Sequence, residues 1–149
     1  METGRFELGS DGPACILVGI DGSETSLRAG AYAAGLARRQ GAKLILLYVK
    51  TGSSPPIVVP EVAVAMSETH DEIENALRQQ LAEGAPRLGL DAELLVRKGN
   101  PYAELLRVAG ERMVDAIVVG ASTQAGHRLV GSLAGKLVRH AAWPVTVVP

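Results

Sequence analysis

One carboxylate stands where a ligand-binding group is expected. Asp21 directly follows residues 14–20, an unbroken run of apolar and small residues. Such a run is typical of a strand covered on both faces, and in a parallel sheet ligands bind beyond the carboxyl ends of the strands. A carboxylate there can accept hydrogen bonds from a ribose hydroxyl or hold a magnesium ion. It can equally satisfy the free N–H groups of the following helix, which leaves two interpretations open.

A glycine-rich segment in the second half is the other candidate. Residues 118–132 contain Gly120, Gly126 and Gly131, and Ser132 follows at the predicted start of a helix. Free N–H groups and the positive end of the helix dipole make a helix start an anion site, and glycine lets the backbone approach phosphate closely. The pattern therefore indicates a place for a phosphate group.

Two charged residues of this segment have no single interpretation. His127 and Arg128 could add positive charge beside a bound phosphate, or they could be solvated loop residues. The segment matches neither G-x-x-x-x-G-K-[ST] nor G-x-G-x-x-G, the two common phosphate-binding fingerprints. Without further information it does not identify a nucleotide.

Patterns that carry catalysis are missing from the sequence. No His, Cys, Asp or Glu residues have metal-ligand spacing, and no serine stands in a G-x-S-x-G context. No motif pairs two carboxylates for acid–base work. We therefore expect no catalytic residue and no resident metal, and Asp21 would meet magnesium only through a bound nucleotide.

Strands and helices alternate along the chain and would bring both candidates to one edge of a sheet. The predicted strands are residues 14–20, 44–49, 92–97, 116–119 and 144–148. The predicted helices are residues 26–40 after an N-cap at Ser23, 61–88, 101 to about 113 after an N-cap at Asn100, and 132–141. This alternation favours an α/β fold with one doubly wound parallel sheet and helices on both faces.

Composition narrows the class of protein. The 149 residues suggest one domain, here residues 14–149 after a polar, disordered arm at 1–13, and with 47% hydrophobic but 3% aromatic residues the core must be aliphatic. The net charge of -1 argues against a nucleic-acid or anionic-membrane partner. No apolar run approaches the roughly 20 residues of a membrane span, and the first residues do not form a signal peptide. We expect a cytoplasmic protein.

Three stretches together resemble the universal stress protein family. They are ILVGIDGSETS at residues 16–26, KGNPYAELLRVAGERMVDAIVVG at 98–120 and VGSLAGKLVRHAAWPVTVVP at 130–149. The resemblance spans residues 14–149 and implies a Rossmann-like, adenine-nucleotide-binding fold of five strands in the order 3-2-1-4-5. It also implies homodimers, often paired through the last strand.

The resemblance implies ATP, with magnesium, as the ligand. It places Asp21 at the end of the first strand, Val49 against the adenine, and Gly120, Gly131 and Ser132 around phosphate and ribose. The full set of candidate nucleotide-binding residues is Gly19, Ile20, Asp21, Val49, Gly99, Val119, Gly120, Ser122, Gly126, His127, Arg128, Gly131, Ser132 and Leu133.

The sequence departs from the ATP motif of this family at one loop. That motif has glycine, two residues, glycine, nine residues, and then Gly-Ser or Gly-Thr. Here Thr123 stands at the second glycine, and the distance from Gly120 to Gly131 is two residues shorter than the motif requires. A β-branched threonine also resists the positive φ angles that glycine allows. The alternative is a family member that binds no ATP, or another ligand, and acts through protein partners.

The function expected from the resemblance is regulatory binding in a stress response, with very slow ATP hydrolysis at most. An adenylate-forming enzyme of a related fold would carry an S-G-G-x-D-S loop, but residues 19–23 read GIDGS and lack the paired glycines. A phospho-receiver domain would need an acidic pair after the first strand, and none is present.

The last strand is the predicted site of homodimer contact. Its residues are short, mostly β-branched and uncharged, and under the strand order 3-2-1-4-5 they form a sheet edge. Exposed edges of this kind pair with another chain, and a twofold axis lets the same strand pair with itself. The residues concerned are Val145, Thr146, Val147 and Val148.

Overall fold

The computed structural model describes residues 12–51, 60–122 and 132–149. Within them, five strands alternate with four helices. The elements are β1 (Cys15–Ile20), α1 (Glu24–Gln40), β2 (Lys43–Lys50), α2 (Pro60–Leu88), β3 (Ala92–Lys98), α3 (Pro101–Glu111), β4 (Ala116–Gly120), α4 (Leu133–His140) and β5 (Val145–Val148). None of the helices in these ranges is long and apolar enough to cross a membrane. Most of the predicted arm, residues 1–11, lies outside the described residues.

The strands form one parallel sheet in the order β3-β2-β1-β4-β5. This confirms the predicted fold and strand order. The chain moves outward from β1 to β3, then crosses back to β4 on the other side of β1. Strand order therefore reverses between β1 and β4, and in open α/β sheets such a reversal opens a crevice at the carboxyl ends of the strands.

Two aliphatic layers, one on each face of the sheet, hold the fold together. Helices α1 and α2 cover one face, where Ala29, Ala33 and Leu77 are buried against the strands. Helices α3 and α4 cover the other face with Leu105, Val108 and Leu137. Alanine dominates the contact of α1, so this helix packs close to the sheet. Tyr48 is the one aromatic side chain among the described residues buried in these layers.

Three helices begin at side-chain N-caps, and the sequence predicts two of these caps, Ser23 and Asn100. The Ser23 Oγ accepts from the Ser26 N–H at 3.2 Å, and the Asn100 Oδ1 accepts from the Ala103 N–H at 3.0 Å. The Ser132 Oγ accepts from the Gly135 N–H at 3.1 Å. Each cap satisfies one backbone donor that the helix itself cannot pair. The caps fix where each helix starts relative to the strand before it.

Helices α1, α2 and α3 each end with a residue in the left-handed conformation. This residue is glycine after α1 and α2 but methionine after α3. Gly41 and Gly89 take that position after α1 and α2, with φ of 64° and 63°. After α3 it is Met113, with φ of 49°, so α3 ends at Glu111, slightly earlier than predicted. The Val114 N–H then reaches back to the Ala109 carbonyl at 3.1 Å, as in a Schellman motif.

Met113→Gly is expected to stabilise the fold by about 0.5 to 1 kcal/mol, because glycine adopts this conformation without strain. The Met113 side chain is 81% exposed, so its loss removes little packing. The matched control is Gly41→Ala, which puts a side chain into the same conformation with no atom within 4 Å of the new Cβ. That variant should lose about 1 kcal/mol from backbone strain alone. Urea denaturation measures the unfolding free energy of both variants. A Met113→Gly variant less stable than wild type would show that the left-handed conformation of Met113 carries no strain.

Candidate functional site

The turn after β1 is held by a compact set of hydrogen bonds. The Ser23 N–H donates to the Asp21 Oδ1 at 2.8 Å, and Gly22 between them has φ of 87°. The Ser26 Oγ donates to the Ser23 carbonyl at 2.9 Å and accepts from the Asp21 N–H at 3.2 Å. Asp21 is thereby fixed at the carboxyl end of β1, beside the start of α1.

The Asp21 carboxylate is ionised at neutral pH. Partial burial acts to raise its pKa, but hydrogen bonds from Ser23 and Ser26 outweigh burial and hold the pKa below the usual value. The residue as a whole is still exposed to solvent. Oδ1 is engaged by the Ser23 N–H, so Oδ2 is the oxygen better placed for a ligand hydroxyl or a cation. The structure shows that Asp21 orders the turn, and its role in ligand binding stays a prediction.

The end of β4 lies directly against the first turn of α1. A Cβ atom built on Gly120 would lie 2.6 Å from the Thr25 carbonyl carbon and 2.7 Å from the Ser26 nitrogen. The Thr25 Oγ1 donates to the Ala121 carbonyl at 2.8 Å, which ties α1 to the chain just beyond β4. Both strands at the reversal point are therefore held in a fixed relation by α1.

The two helix starts at this edge differ in charge. Beside the start of α1 lie Asp21 and, in its first turn, Glu24. The first turn of α4 has no acidic residue, and Lys136 lies one turn into that helix. A helix N-terminus attracts anions, and nearby carboxylates oppose that attraction. A phosphate group is therefore favoured at α4, and neutral hydroxyls or a cation are favoured at Asp21.

Ion pairs join α2 to the end of β2. The Lys50 Nζ lies 2.8 Å from the Glu74 Oε1 and 3.2 Å from the Asp71 Oδ1, and the Lys50 side chain is 15% exposed. Hydrogen bonds to Glu74 and Asp71 raise the pKa of Lys50, so it stays protonated. The Arg78 Nε binds the second oxygen of Glu74 at 3.0 Å. This cluster fixes α2 beside the carboxyl ends of β1 and β2.

The structure brings several predicted site residues to one edge but turns some side chains away from it. Asp21, Gly120 and Ser122 lie at the ends of β1 and β4, and Ser132 and Leu133 begin α4. Gly19 faces Leu105 and Val119 inside the fold, and the side chains of Ile20, Val49 and Val119 are buried. A ligand would therefore meet those four residues through their backbone.

Gly99 lies away from the strand reversal, at the edge of the sheet. It follows β3, the edge strand, with φ of 131°, and its N–H donates to the Lys50 carbonyl at 3.1 Å. Neighbouring strands lie about 4.8 Å apart, so β3 lies roughly 10 Å from β1. The predicted residues Gly126, His127, Arg128 and Gly131 lie outside the described residues, as does Thr123.

The structure adds residues that sequence reasoning missed. Thr25 joins α1 to β4, and Ser26 supports the Asp21 backbone. Lys50 and Tyr48 lie at the end of β2, next to the predicted Val49. The sequence did contain a signal for these two residues. After its first lysine the strand KLILLYVK is apolar, except for the hydroxyl of Tyr48 and the charge of Lys50.

Magnesium fits this edge only together with a phosphorylated ligand. Among residues 12–51, 60–122 and 132–149, no group of three or more His, Cys, Asp or Glu side chains could hold a metal ion. Mg²⁺ keeps several waters and commonly binds through one or two carboxylates plus substrate phosphates. Asp21 supplies one such carboxylate, and the phosphates would have to come from the ligand.

Comparison with known proteins fixes the family. The model of the universal stress protein family matches residues 15–149. The chain belongs to this family. Universal stress protein YxiE of Bacillus subtilis is 34% identical over 149 residues, covering 89% of this chain and 97% of the relative.

Solved universal stress proteins share the fold. UspA from Lactobacillus plantarum superimposes with a TM-score of 0.75 at 29% identity, covering 91% of this chain and 97% of that protein. A universal stress protein solved in complex with cAMP gives a TM-score of 0.62 at 26% identity, with 93% and 98% covered. The predicted family resemblance is thereby confirmed.

Proposed function

We propose that this universal stress protein binds an adenine nucleotide, with ATP and Mg²⁺ as the expected ligand. In this proposal it acts in the cytoplasm as a homodimeric regulator with little or no turnover. The observation that carries the proposal is the strand reversal between β1 and β4, where a hydrogen-bonded turn fixes Asp21 after β1 and the first turn of α4 has no acidic residue. This division of charge suits a ligand with hydroxyls at one end and phosphates at the other.

The cAMP complex of a structural neighbour supports the class of ligand. That protein is 26% identical to this chain and shares its fold along nearly its whole length. Its ligand contains adenine, ribose and phosphate, the three groups that the present crevice would have to accommodate. The neighbour therefore favours an adenine nucleotide over an unrelated anion.

Each part of the nucleotide has a proposed contact in this chain. The Asp21 Oδ2 accepts hydrogen bonds from the ribose hydroxyls or binds Mg²⁺ carried by the phosphates. The N–H groups at the start of α4, after Ser132, face the phosphates. The base lies at the end of β2, against the backbone of Val49. Magnesium supplies charge neutralisation of the phosphates when it is bound.

Slow turnover is expected from the groups at this edge. Hydrolysis requires a base poised to activate water, and a carboxylate with a lowered pKa is a weak base. Asp21 is such a group, and the Ser23 N–H already occupies one of its oxygens. Any ATP hydrolysis should therefore be slower than about 1 per second, the low end for ordinary enzymes.

A second candidate function follows from the altered loop. Thr123 replaces a glycine of the family's ATP motif, and the segment from Gly120 to Gly131 is two residues short. A closer or different path of this segment could exclude a triphosphate. In that case the chain is a regulator that acts through protein partners, without ATP or with another ligand.

The homodimer is proposed to form through β5. This strand is one edge of the sheet, and its residues are uncharged and mostly β-branched. All four are only partly buried, so they are available to a second copy. Self-pairing across a twofold axis would join two five-stranded sheets into one.

Asp21→Asn is expected to weaken Mg-ATP binding about tenfold, because the amide keeps the oxygen that accepts from Ser23 but loses the charge. Calorimetric titration measures the affinity. The matched control is Asp115→Asn at the opposite end of the sheet. There the Asp115 Oδ2 accepts from the Ala14 and Cys15 N–H groups at 2.8 and 2.9 Å.

Two outcomes of this titration would contradict the proposal in different ways. Wild-type protein that gives no heat at millimolar Mg-ATP would reject nucleotide binding and favour the second candidate function. Equal binding by Asp21→Asn and wild type would reject the placement of ribose or magnesium at Asp21. A tenfold loss in Asp115→Asn would show that the assay reports general destabilisation.

A further inference from the structure

The hydroxyl of Tyr48 is a buried polar group without a hydrogen-bond partner. Tyr48 is 2% exposed, and no described residue donates to or accepts from its hydroxyl. Leaving such a group unpaired is unfavourable, and a tyrosine hydroxyl in a core usually finds a partner. Phenylalanine would fill the same space without that cost. Core packing alone therefore does not explain why this residue is tyrosine and not phenylalanine.

Tyr48 lies at the level of the ligand edge. It pairs in register with Ile20, the last residue of β1, so it stands one residue below Asp21. Its ring meets the His70 ring of α2 edge-on, with centroids 6.3 Å apart and the planes at 79°. Tyr48 thus lies two residues before the end of β2, beside the end of β1 and against the first half of α2.

Charged groups at the ends of β1 and β2 and on α2 affect the pKa of this tyrosine. Burial raises the pKa of Tyr48; Lys50 lowers it, and Asp21, Glu74 and Asp71 raise it further. The net effect keeps the phenol protonated, so at neutral pH it is a hydrogen-bond donor. These charged groups belong to the ends of β1 and β2 and to α2, at the same end of the sheet as the pairing of Tyr48 with Ile20.

The neighbouring charged groups already have partners among themselves. Lys50 is bound by Asp71 and Glu74, and Glu74 is bound in addition by Arg78. The Asp21 Oδ1 accepts from the Ser23 N–H. These contacts leave the Tyr48 hydroxyl without a partner among the described residues, so a ligand atom or a water molecule would complete its hydrogen bonding.

We propose that Tyr48 is a specificity-determining residue whose hydroxyl donates a hydrogen bond to a ring nitrogen of the bound purine. This inference rests on the proposed nucleotide binding. With the ribose at Asp21 and the base at the end of β2, the base lies above Tyr48. The ring nitrogens of adenine are acceptors, and a site built to hydrogen-bond a ligand discriminates strongly against an analogue that lacks the matching atom. The partly buried His70 ring, which meets the Tyr48 ring edge-on, would have to move aside to give the base access to the hydroxyl.

Tyr48→Phe tests this assignment because it removes one oxygen atom and keeps the ring. Mg-ATP affinity is expected to fall about tenfold, the effect of leaving one buried hydrogen-bonding group of the ligand unpaired. Without nucleotide, the variant should be as stable as wild type or more so. The matched control is Tyr32→Phe in α1, whose side chain is 49% exposed and should leave the affinity unchanged.

Deaza analogues of ATP identify the acceptor. Replacing one ring nitrogen by C–H, at position 1, 3 or 7, should weaken binding to wild type about tenfold for a single analogue. Tyr48→Phe should bind that analogue no worse than it binds ATP, since the partner atoms are then both gone. This pattern would support a direct hydrogen bond between Tyr48 and the base.

The remaining outcomes overturn one statement each. Wild type without measurable affinity for ATP rejects the proposed function, and with it the role of Tyr48. Normal ATP binding by Tyr48→Phe rejects the role of Tyr48 alone and assigns the hydroxyl to buried water. Weak binding by Tyr48→Phe, with all three deaza analogues bound normally by wild type, places the hydroxyl against the ribose instead of the base.

Discussion

Gly120→Ala is expected to destabilise the protein by about 3 kcal/mol, since overpacking against a fixed backbone lies at the upper end of such substitutions. The added Cβ would lie 2.6 Å from the Thr25 carbonyl carbon and 2.7 Å from both the Thr25 oxygen and the Ser26 nitrogen. All three are backbone atoms, which cannot rotate away as a flexible side chain can. The steric overlap can be relieved only if α1 moves away from β4.

That movement would have to break the contacts that hold α1 in place. The Thr25 Oγ1 donates to the Ala121 carbonyl, and the Ser23 and Ser26 hydroxyls fix the first turn of the helix. Alanines of α1 are fully buried on the sheet, so a shift also opens the core. The predicted loss therefore combines steric strain with lost packing.

The matched control for this prediction is Gly19→Ala in the adjacent strand. Its Cβ would meet the nearest atoms, the side-chain carbons of Leu105, at 3.4 Å, which is close to ordinary contact. Urea denaturation of the two variants should differ by about 2 kcal/mol or more in unfolding free energy. Similar stabilities for both would show that α1 does not press on β4 as described. A confirmed difference would explain Gly120, the last residue of β4, by packing, independently of any ligand.

Local patterns predicted much of the fold. The unbroken apolar runs of β1, β2 and β4 are typical of strands covered on both faces, and the structure buries them. Ser23 and Asn100 were identifiable as caps because their side chains act within three residues of their own position. The strand order came from the family resemblance, since no local pattern encodes it.

Contacts between distant segments were the part that the sequence did not reveal. Thr25 meets Ala121 across 96 residues, and Lys50 meets Asp71 across 21. Threonine and lysine are common at exposed positions, so nothing in their types marks these two. The unpaired hydroxyl of Tyr48 is likewise visible only when the surrounding core is known. At Asp21 the sequence predicted the position and left capping and ligand binding open, and the structure shows that the carboxylate orders the turn.

The edge strand β5 offers a test of the proposed dimer. The Ile117 N–H donates to the Pro144 carbonyl at 2.9 Å, and the Ala121 N–H donates to the Val148 carbonyl at 2.8 Å. Backbone groups alternate along a strand, so residues 144, 146 and 148 face β4. The N–H and C=O groups of Val145 and Val147 therefore point to the free edge, where a second copy would bind.

Val147→Pro is expected to convert the dimer to monomer while leaving the fold intact. Proline has no N–H, and an edge strand tolerates it where the N–H faces outward. A twofold axis doubles the loss, because each copy gives up one hydrogen bond to the other. At about 1 kcal/mol for each bond, the dissociation constant should rise about 30-fold or more. Light scattering over a range of micromolar concentrations measures this change.

Val147→Ala separates the backbone effect from the loss of the side chain. Alanine removes more than proline does of the contact between Val147 and the core layer under α3 and α4. Unlike proline, it keeps the N–H at the free edge. Val147→Ala should therefore lower the stability of the fold and preserve the dimer, whereas Val147→Pro should break the dimer and preserve the fold.

A wild-type protein that is monomeric at micromolar concentrations would reject the dimer outright. A dimer that survives Val147→Pro would move the interface away from β5, and the other sheet edge, β3, would be the next place to look because its outer backbone groups are also unpaired within the described sheet.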